Sequence, residues 1–202
     1  LTVTRSLGGP DVAVTGGKPL DADLRLSLAR VAEAHAIARL TWDAEVIALR
    51  TMPMQRFGTA LVAPPPGAFL QATAEGEAAL LSAVVEAIGP ARRVIDLFAG
   101  AGTFTLPLAD TAEVHAVEAD TAMLSALDRG WRQAQGLHRV TTESRDLFRR
   151  PLEPDELRAD AVVIDPPRAG AEAQMRALAK SRVPVIAAVS CNPVTFARDA
   201  RI

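Results

Sequence analysis

The sequence is poor in the residues that staple, metallate or embed a protein. It has one cysteine, Cys191, in 202 residues. That excludes an internal disulfide framework and any cysteine-based zinc or iron–sulfur site within the chain. Tyrosine is absent, and Lys18 and Lys180 are the only lysines, so the basic residues are almost all arginine. With abundant alanine, this is a compositional bias of the source genome and not a functional signal. Charge of one sign is missing too. Lys and Arg total 22 against 24 Asp and Glu, a net charge of −2, without the bulk basic character of a nucleic-acid binder. No apolar run reaches the ~18 residues of a membrane span, and no basic-then-apolar leader follows Leu1. The expected setting is reducing and cytoplasmic, with no membrane partner. What is present, 49 % hydrophobic and 23 % charged residues, is an ordinary globular balance. It suffices for one large domain or two small ones.

The text divides near Pro64-Pro65-Pro66-Gly67, because three prolines fix φ and remove backbone donors. Residues 1–63 read as a small α+β domain. Strand-like runs cover Leu1 to Ser6 and Asp11 to Thr15. Leu24, Leu28, Val31 and Ala32 recur at helical spacing behind a cap at Asp21 or Asp23. Ala38 to Trp42 and Glu45 to Arg50 alternate as a hairpin around Asp43-Ala44. From residue 64 to 202, strands alternate with helices. Predicted helices cover 73–88, 121–135 and 171–179. Predicted strands cover 94–98, 113–117, 140–143, 161–164 and 183–189. This alternation implies βαβ units, a mostly parallel sheet and right-handed crossovers.

The first strand of that region runs into Asp96-Leu97-Phe98-Ala99-Gly100-Ala101-Gly102-Thr103-Phe104-Thr105. Two glycines at a strand-to-helix turn let the backbone approach a ligand closely. A nicotinamide dinucleotide fingerprint would place a third glycine where Thr105 stands. The next strand ends in Glu118, a carboxylate suited to ribose hydroxyls. The one after leads to Asp146, placed to meet an adenine edge. In a doubly wound fold these strand ends share one rim, where nucleotide ligands bind.

Two later motifs fall on the same rim. Asp165-Pro166-Pro167-Arg168-Ala169-Gly170 closes the fourth strand, and its prolines stiffen a turn that holds Asp165 outward. Ser190-Cys191-Asn192-Pro193 follows the fifth. The 26 residues from Asp165 to Cys191 accommodate one crossover helix, so both side chains belong on neighbouring strand ends. Lone cysteines are usually small buried hydrophobes. Cys191 instead lies past the apolar run and between polar Ser190 and Asn192, which favours an accessible, reactive thiol. His35, His115 and His138 have no partners at metal-ligand spacing, so no metal site is expected.

These motifs in this order resemble the RNA 5-methyluridine (uracil-carbon-5) methyltransferases, which use S-adenosylmethionine on tRNA or large-subunit rRNA. Upstream, Gly67-Ala68-Phe69-Leu70-Gln71 resembles the family's Phe-x-Gln motif. The resemblance implies an α/β fold, a Rossmann-like class I methyltransferase sheet, preceded by the small α+β segment. It implies cofactor-binding roles for Gln71, Phe98, Gly100, Thr103, Glu118, Asp146 and Asp165. It makes Cys191 the nucleophile and sets Asp165 between methionine and target base. Family members often carry asparagine where Thr103 and Asp146 stand. The family's proton acceptor is a glutamate after the cysteine motif, and Asp199 is the only acid between Cys191 and Ile202. The sheet would therefore be truncated at its C-terminal end and the chain a piece of a longer protein. The expected partner is RNA, rRNA ahead of tRNA, and the expected state is a monomer.

The chemistry agrees with these residue types. Carbon 5 of uracil is a poor nucleophile, and thiolate addition at carbon 6 makes it electron-rich. Cysteine is both a strong nucleophile and a competent leaving group. Charge developing on the ring needs hydrogen-bond donors, a role open to Arg168 or backbone amides. Two other readings stay open at this point. One is an adenosylmethionine enzyme with another acceptor, cytosine carbon 5 or a guanine nitrogen. The other is a non-catalytic RNA-binding module of the same fold.

Overall fold

A computed structural model describes residues 1–202. Contacts divide the chain into two units, one of Leu1–Arg56 with Leu61–Leu70 and one of Phe57–Ala60 with Gln71–Ile202. A short ribbon of β5 (Gln55–Phe57) and β6 (Ala60–Val62) lies where the chain leaves and re-enters the first unit.

The first unit is a four-stranded sheet of β1 (Thr2–Ser6), β2 (Gly9–Val14), β3 (Arg39–Trp42) and β4 (Glu45–Leu49), in that order. β2 and β3 pair in parallel, with α1 (Ala22–Ala34) as the crossover. Asp21 is the cap, its carboxylate accepting the Leu24 N–H at 2.7 Å, which satisfies one orphan donor of the first turn. α1 turns Ala32 into a core with Ile37 and Leu40. β3 and β4 form the expected hairpin. Asp43 and Ala44 at its tip have φ of +46° and +70°, the two positive values that a tight type I′ connection demands.

Arg39 holds this unit from inside. Its buried guanidinium donates to both carboxylate oxygens of Asp11, at 2.8 and 2.5 Å, and to the carbonyl of Pro64 at 2.8 Å. The planar fork fits a carboxylate edge-on, and its third bond fastens the proline run. Replacing one partner of a buried pair leaves the other charged and desolvated. Arg39→Met is expected to cost about 3–5 kcal/mol, read by chemical denaturation. A loss under about 1 kcal/mol would show that water still solvates Asp11.

The second unit begins with α2 (Ala74–Ile88), capped by the Thr73 hydroxyl accepting from Gly76 N–H at 3.0 Å. Five strands follow: β7 (Arg93–Leu97), β8 (Glu113–Glu118), β9 (Val140–Ser144), β10 (Ala161–Ile164) and β11 (Val185–Ala188). Their order is β11-β10-β7-β8-β9, and every pair is parallel. The connections carry α3 (Thr105–Leu108), α4 (Thr121–Gln133) and α5 (Glu172–Leu178), and α6 (Pro193–Asp199) follows β11. β7 and β10 are buried almost throughout, as strands covered on both faces must be. One face packs Ile95, Leu97, Val117, Val162 and Ile164 against Leu178 of α5.

Two differences from the sequence reading have local causes. The apolar run 183–189 yields a strand only from Val185 to Ala188, because Pro184 has no N–H for the ladder. α3 and α6 were not expected; each is seven residues or fewer, too short for a period to show.

Candidate functional site

All five strands point their carboxyl ends at one rim. The chain leaves β9 at one edge and re-enters the sheet at β10, next to β7. The order therefore reverses between β7 and β10, and ligands of doubly wound sheets bind in that crevice. Backbone bonds carry the ladder just past the strands. Ala99 N–H donates to Val117 O at 3.1 Å, Arg145 N–H to Glu118 O at 3.0 Å, Asp165 N–H to Leu97 O at 3.3 Å and Val189 N–H to Ile164 O at 2.9 Å. So Asp146, Glu118, Phe98, Asp165 and Cys191 lie at or just past the ends of β9, β8, β7, β10 and β11 in spatial order.

The turn after β7 is strained where it meets the rim. Phe98 has φ +62°, a conformation that costs a side-chain-bearing residue on the order of 1–3 kcal/mol. Its half-buried ring lies 5.4 Å from that of Phe148, tilted by 55°. Gly100 follows at φ +55°, and a Cβ there would meet nothing within 4 Å. Its bare backbone faces open space, and its N–H donates to Glu118 Oε2 at 3.1 Å. Glu118 Oε1 accepts from Ala119 at 2.7 Å and Asp120 at 2.9 Å. With two acceptor sites per oxygen, Oε1 is filled and Oε2 keeps one site free. Thr103 sits half-buried further along the turn. Asp146 closes the turn after β9, its Oδ1 accepting from Phe148 N–H at 3.0 Å and Arg149 N–H at 3.3 Å.

Under the turn lies a residue that the motif reading passed over. Asp96 is 1 % exposed. Its Oδ2 accepts from the Thr105 hydroxyl at 2.5 Å, while Oδ1 is buried without a partner. Burial above all, with Asp165 and Glu118 nearby, raises its pKa to about 7. The signal in the sequence was an acid inside the apolar run Val94 to Phe98.

Gln71 reaches the rim from before α2, donating to Asp165 Oδ2 at 3.4 Å. Burial raises the pKa of Asp165 to about 6. Cys191 is exposed in the loop between β11 and α6. That loop is bound to the one after β10, because the Asn192 amide donates to the Arg168 carbonyl at 2.9 Å and the Thr195 hydroxyl to the same oxygen at 3.1 Å. Away from the rim, His115 bonds Thr141 and Glu143 on β9. No group of three or more His, Cys, Asp or Glu side chains is arranged to hold a metal. No helix is long and apolar enough to cross a membrane.

The parallel sheet, with a glycine turn after β7 and an acid closing β8, is that of a Rossmann-like class I methyltransferase, whose methyl donor is S-adenosylmethionine. Residues 60–201 match the tRNA (Uracil-5-)-methyltransferase family, and the chain belongs to that family. An RNA methyltransferase of Mesorhizobium japonicum is 53 % identical across the whole chain, which covers 49 % of that relative. The 23S rRNA (uracil(1939)-C(5))-methyltransferase of Chromohalobacter salexigens is 44 % identical over 67 % of the chain and 28 % of its own length. Among solved structures, the Pyrococcus abyssi tRNA (uracil-54, C5)-methyltransferase bound to S-adenosyl-L-homocysteine shares the fold. Its TM-score is 0.66 at 23 % identity, over 82 % of this chain and 43 % of that one. The chain spans about half the length of the curated relatives that match it throughout.

The two raised acids give a pH signature. Asp96 and Asp165 move up from 3.8 to about 7 and about 6. Between those limits the folded chain holds more protons than the unfolded one, so stability falls as pH rises through the window. The melting temperature is expected to drop from pH 5 to pH 8, and Asp96→Asn to make that drop shallower. An unchanged slope in the variant would show that Asp96 does not titrate there.

Proposed function

We propose that this chain forms the catalytic core of an RNA uracil-carbon-5 methyltransferase working through a covalent Cys191 adduct. The observation that carries the reading is the pairing of loops. An exposed thiol at the end of β11 is bonded through its own loop to the loop of Asp165 on neighbouring β10.

The rim residues fit an adenosyl cofactor. Gly100 offers open space, Glu118 keeps one acceptor site for a ribose hydroxyl, and Phe98, Thr103 and Asp146 border the same ground. Gln71 and Asp165 stand at the switch point, where the methionine end would lie. When bound, S-adenosylmethionine supplies an electrophilic methyl group. The residues of the chain do the rest. Cys191, as thiolate, adds to carbon 6 of the uracil, and the ring electrons move toward the carbon-4 oxygen. Arg168 is exposed on the loop that Asn192 bonds, and its guanidinium is a candidate donor for that developing charge. Carbon 5, now electron-rich, takes the methyl. Removal of the carbon-5 proton then lets the thiolate leave by elimination. The target base must quit its stack to enter such a site.

Asp199 does not fit the role of proton acceptor. It is buried, and its carboxylate is occupied by Ala171 N–H at 2.7 Å and by Arg198 at 2.6 Å. The substrate is a uridine in RNA, with rRNA ahead of tRNA. The rRNA enzyme of Chromohalobacter is 44 % identical to the chain, whereas the tRNA enzyme of Pyrococcus is 23 % identical.

A methyl-transfer assay with labelled S-adenosylmethionine on 23S rRNA and tRNA tests this on the full-length protein. Label is expected in uridine, more from rRNA, and Cys191→Ala is expected to fall to background. Methylation that survives Cys191→Ala would establish chemistry without a thiol and overturn the adduct.

A further inference from the structure

The residues after Cys191 place Asn192, Thr195 and Arg198 three apart, on one side of α6. Each donates a hydrogen bond to the main chain of the loop after β10. Asn192 Nδ2 reaches the Arg168 carbonyl at 2.9 Å, and Thr195 Oγ1 reaches the same oxygen at 3.1 Å while also lying 3.2 Å from Asn192 O. Arg198 Nη2 donates to the Ala169 carbonyl at 3.0 Å. Asp199, next in sequence, accepts from Ala171 N–H at 2.7 Å. The helix thus grips Arg168, Ala169 and Ala171, all within six residues of Asp165.

The fit leaves no slack. A Cβ on Gly170, which has φ +74°, would come 2.6 Å from Arg198 Nη2 and 3.0 Å from Thr195 Cβ, and closer still to Asp199 Oδ2. The Arg168 carbonyl faces two donors, the Asn192 amide at the cap of α6 and the Thr195 hydroxyl within it. The Asp199 carboxylate is itself braced by Arg198, with Nε 2.8 Å from Oδ1. Pro166 and Pro167 stiffen the stretch between this anchor and Asp165, and Asn192 is the immediate neighbour of Cys191. Moving either loop therefore strains the other.

We propose that α6 is a brace, and that Thr195, Arg198 and Asp199 are positioning residues that hold the Cys191 thiol in register with the Asp165 loop. The inference rests on the uracil-methylation reading above. None of the three touches the reacting atoms. Their contribution is geometric, since a misplacement of order 1 Å in a reacting pair can cost about 100-fold in rate.

Thr195 offers the cleanest probe, because valine matches its shape without the hydroxyl and serine restores the hydroxyl. The measurement is single-turnover capture of RNA carrying 5-fluorouridine, by the full-length protein with S-adenosylmethionine. Fluorine at carbon 5 leaves no proton to remove, so the Cys191 adduct persists and its formation needs no proton acceptor. Thr195→Val is expected to form adduct about tenfold more slowly, with unchanged affinity for S-adenosylhomocysteine, and Thr195→Ser to recover the wild-type rate. Asp199→Asn is expected to slow capture in the same way. Adduct formation by Thr195→Val at the wild-type rate would overturn the brace. So would a parallel loss of cofactor affinity, which marks a folding role. A wild-type protein that captures no RNA would overturn the uracil reading and the brace with it.

Discussion

Five strands that all run one way cannot be joined by tight turns, so each connection must return over the sheet before the next strand starts. That constraint puts every loop that follows a strand on the same rim. Here it brings together the glycine turn after β7, Glu118 at the end of β8, Asp146 after β9, Asp165 after β10 and Cys191 after β11, though 91 residues of sequence separate Gly100 from Cys191. The return from β9 to β10 crosses to the far side of β7 and opens the crevice between β7 and β10. What the rim offers follows from that reversal: open space beside Gly100 after β7, and a thiol and an acid on adjoining strands.

The rim spends stability to keep its shape. Phe98 holds a positive φ that a glycine would adopt without strain, and Asp96 keeps an unpaired oxygen in the apolar layer beneath it. Both lie within five residues of Gly100. Strain and unsatisfied polarity in a core otherwise filled by Val, Ile and Leu fall on the turn proposed to meet the cofactor. The loops on the other side of the switch point are held differently. There α6 bonds main-chain groups, and the result is a fixed spacing between two loops.

Much of this was legible because the signals were long or chemically singular. The alternation of apolar runs and helical periods defined the parallel unit, and all five of its strands fell within two residues of their expected bounds. Cys191 stood out because it is the only cysteine and lies between polar neighbours. Asp21 announced its helix by capping chemistry. What stayed hidden had no periodic or compositional mark. Phe148 joins Phe98 only through the curl of the turn after β9. The grip of Thr195 and Arg198 goes to backbone oxygens, which no side-chain pattern reveals. In the first unit, the pairing of Arg39 with Asp11 spans 28 residues and becomes visible only when β2 and β3 lie side by side.

The central claim is that the thiol on this rim activates carbon 5 of a uracil for methylation. The most direct measurement uses RNA with tritium at carbon 5 of its uridines and counts tritium released to water against methyl groups transferred. The account predicts one tritium released for each methyl gained. Methyl transfer without tritium release would contradict it and place the methyl on another atom.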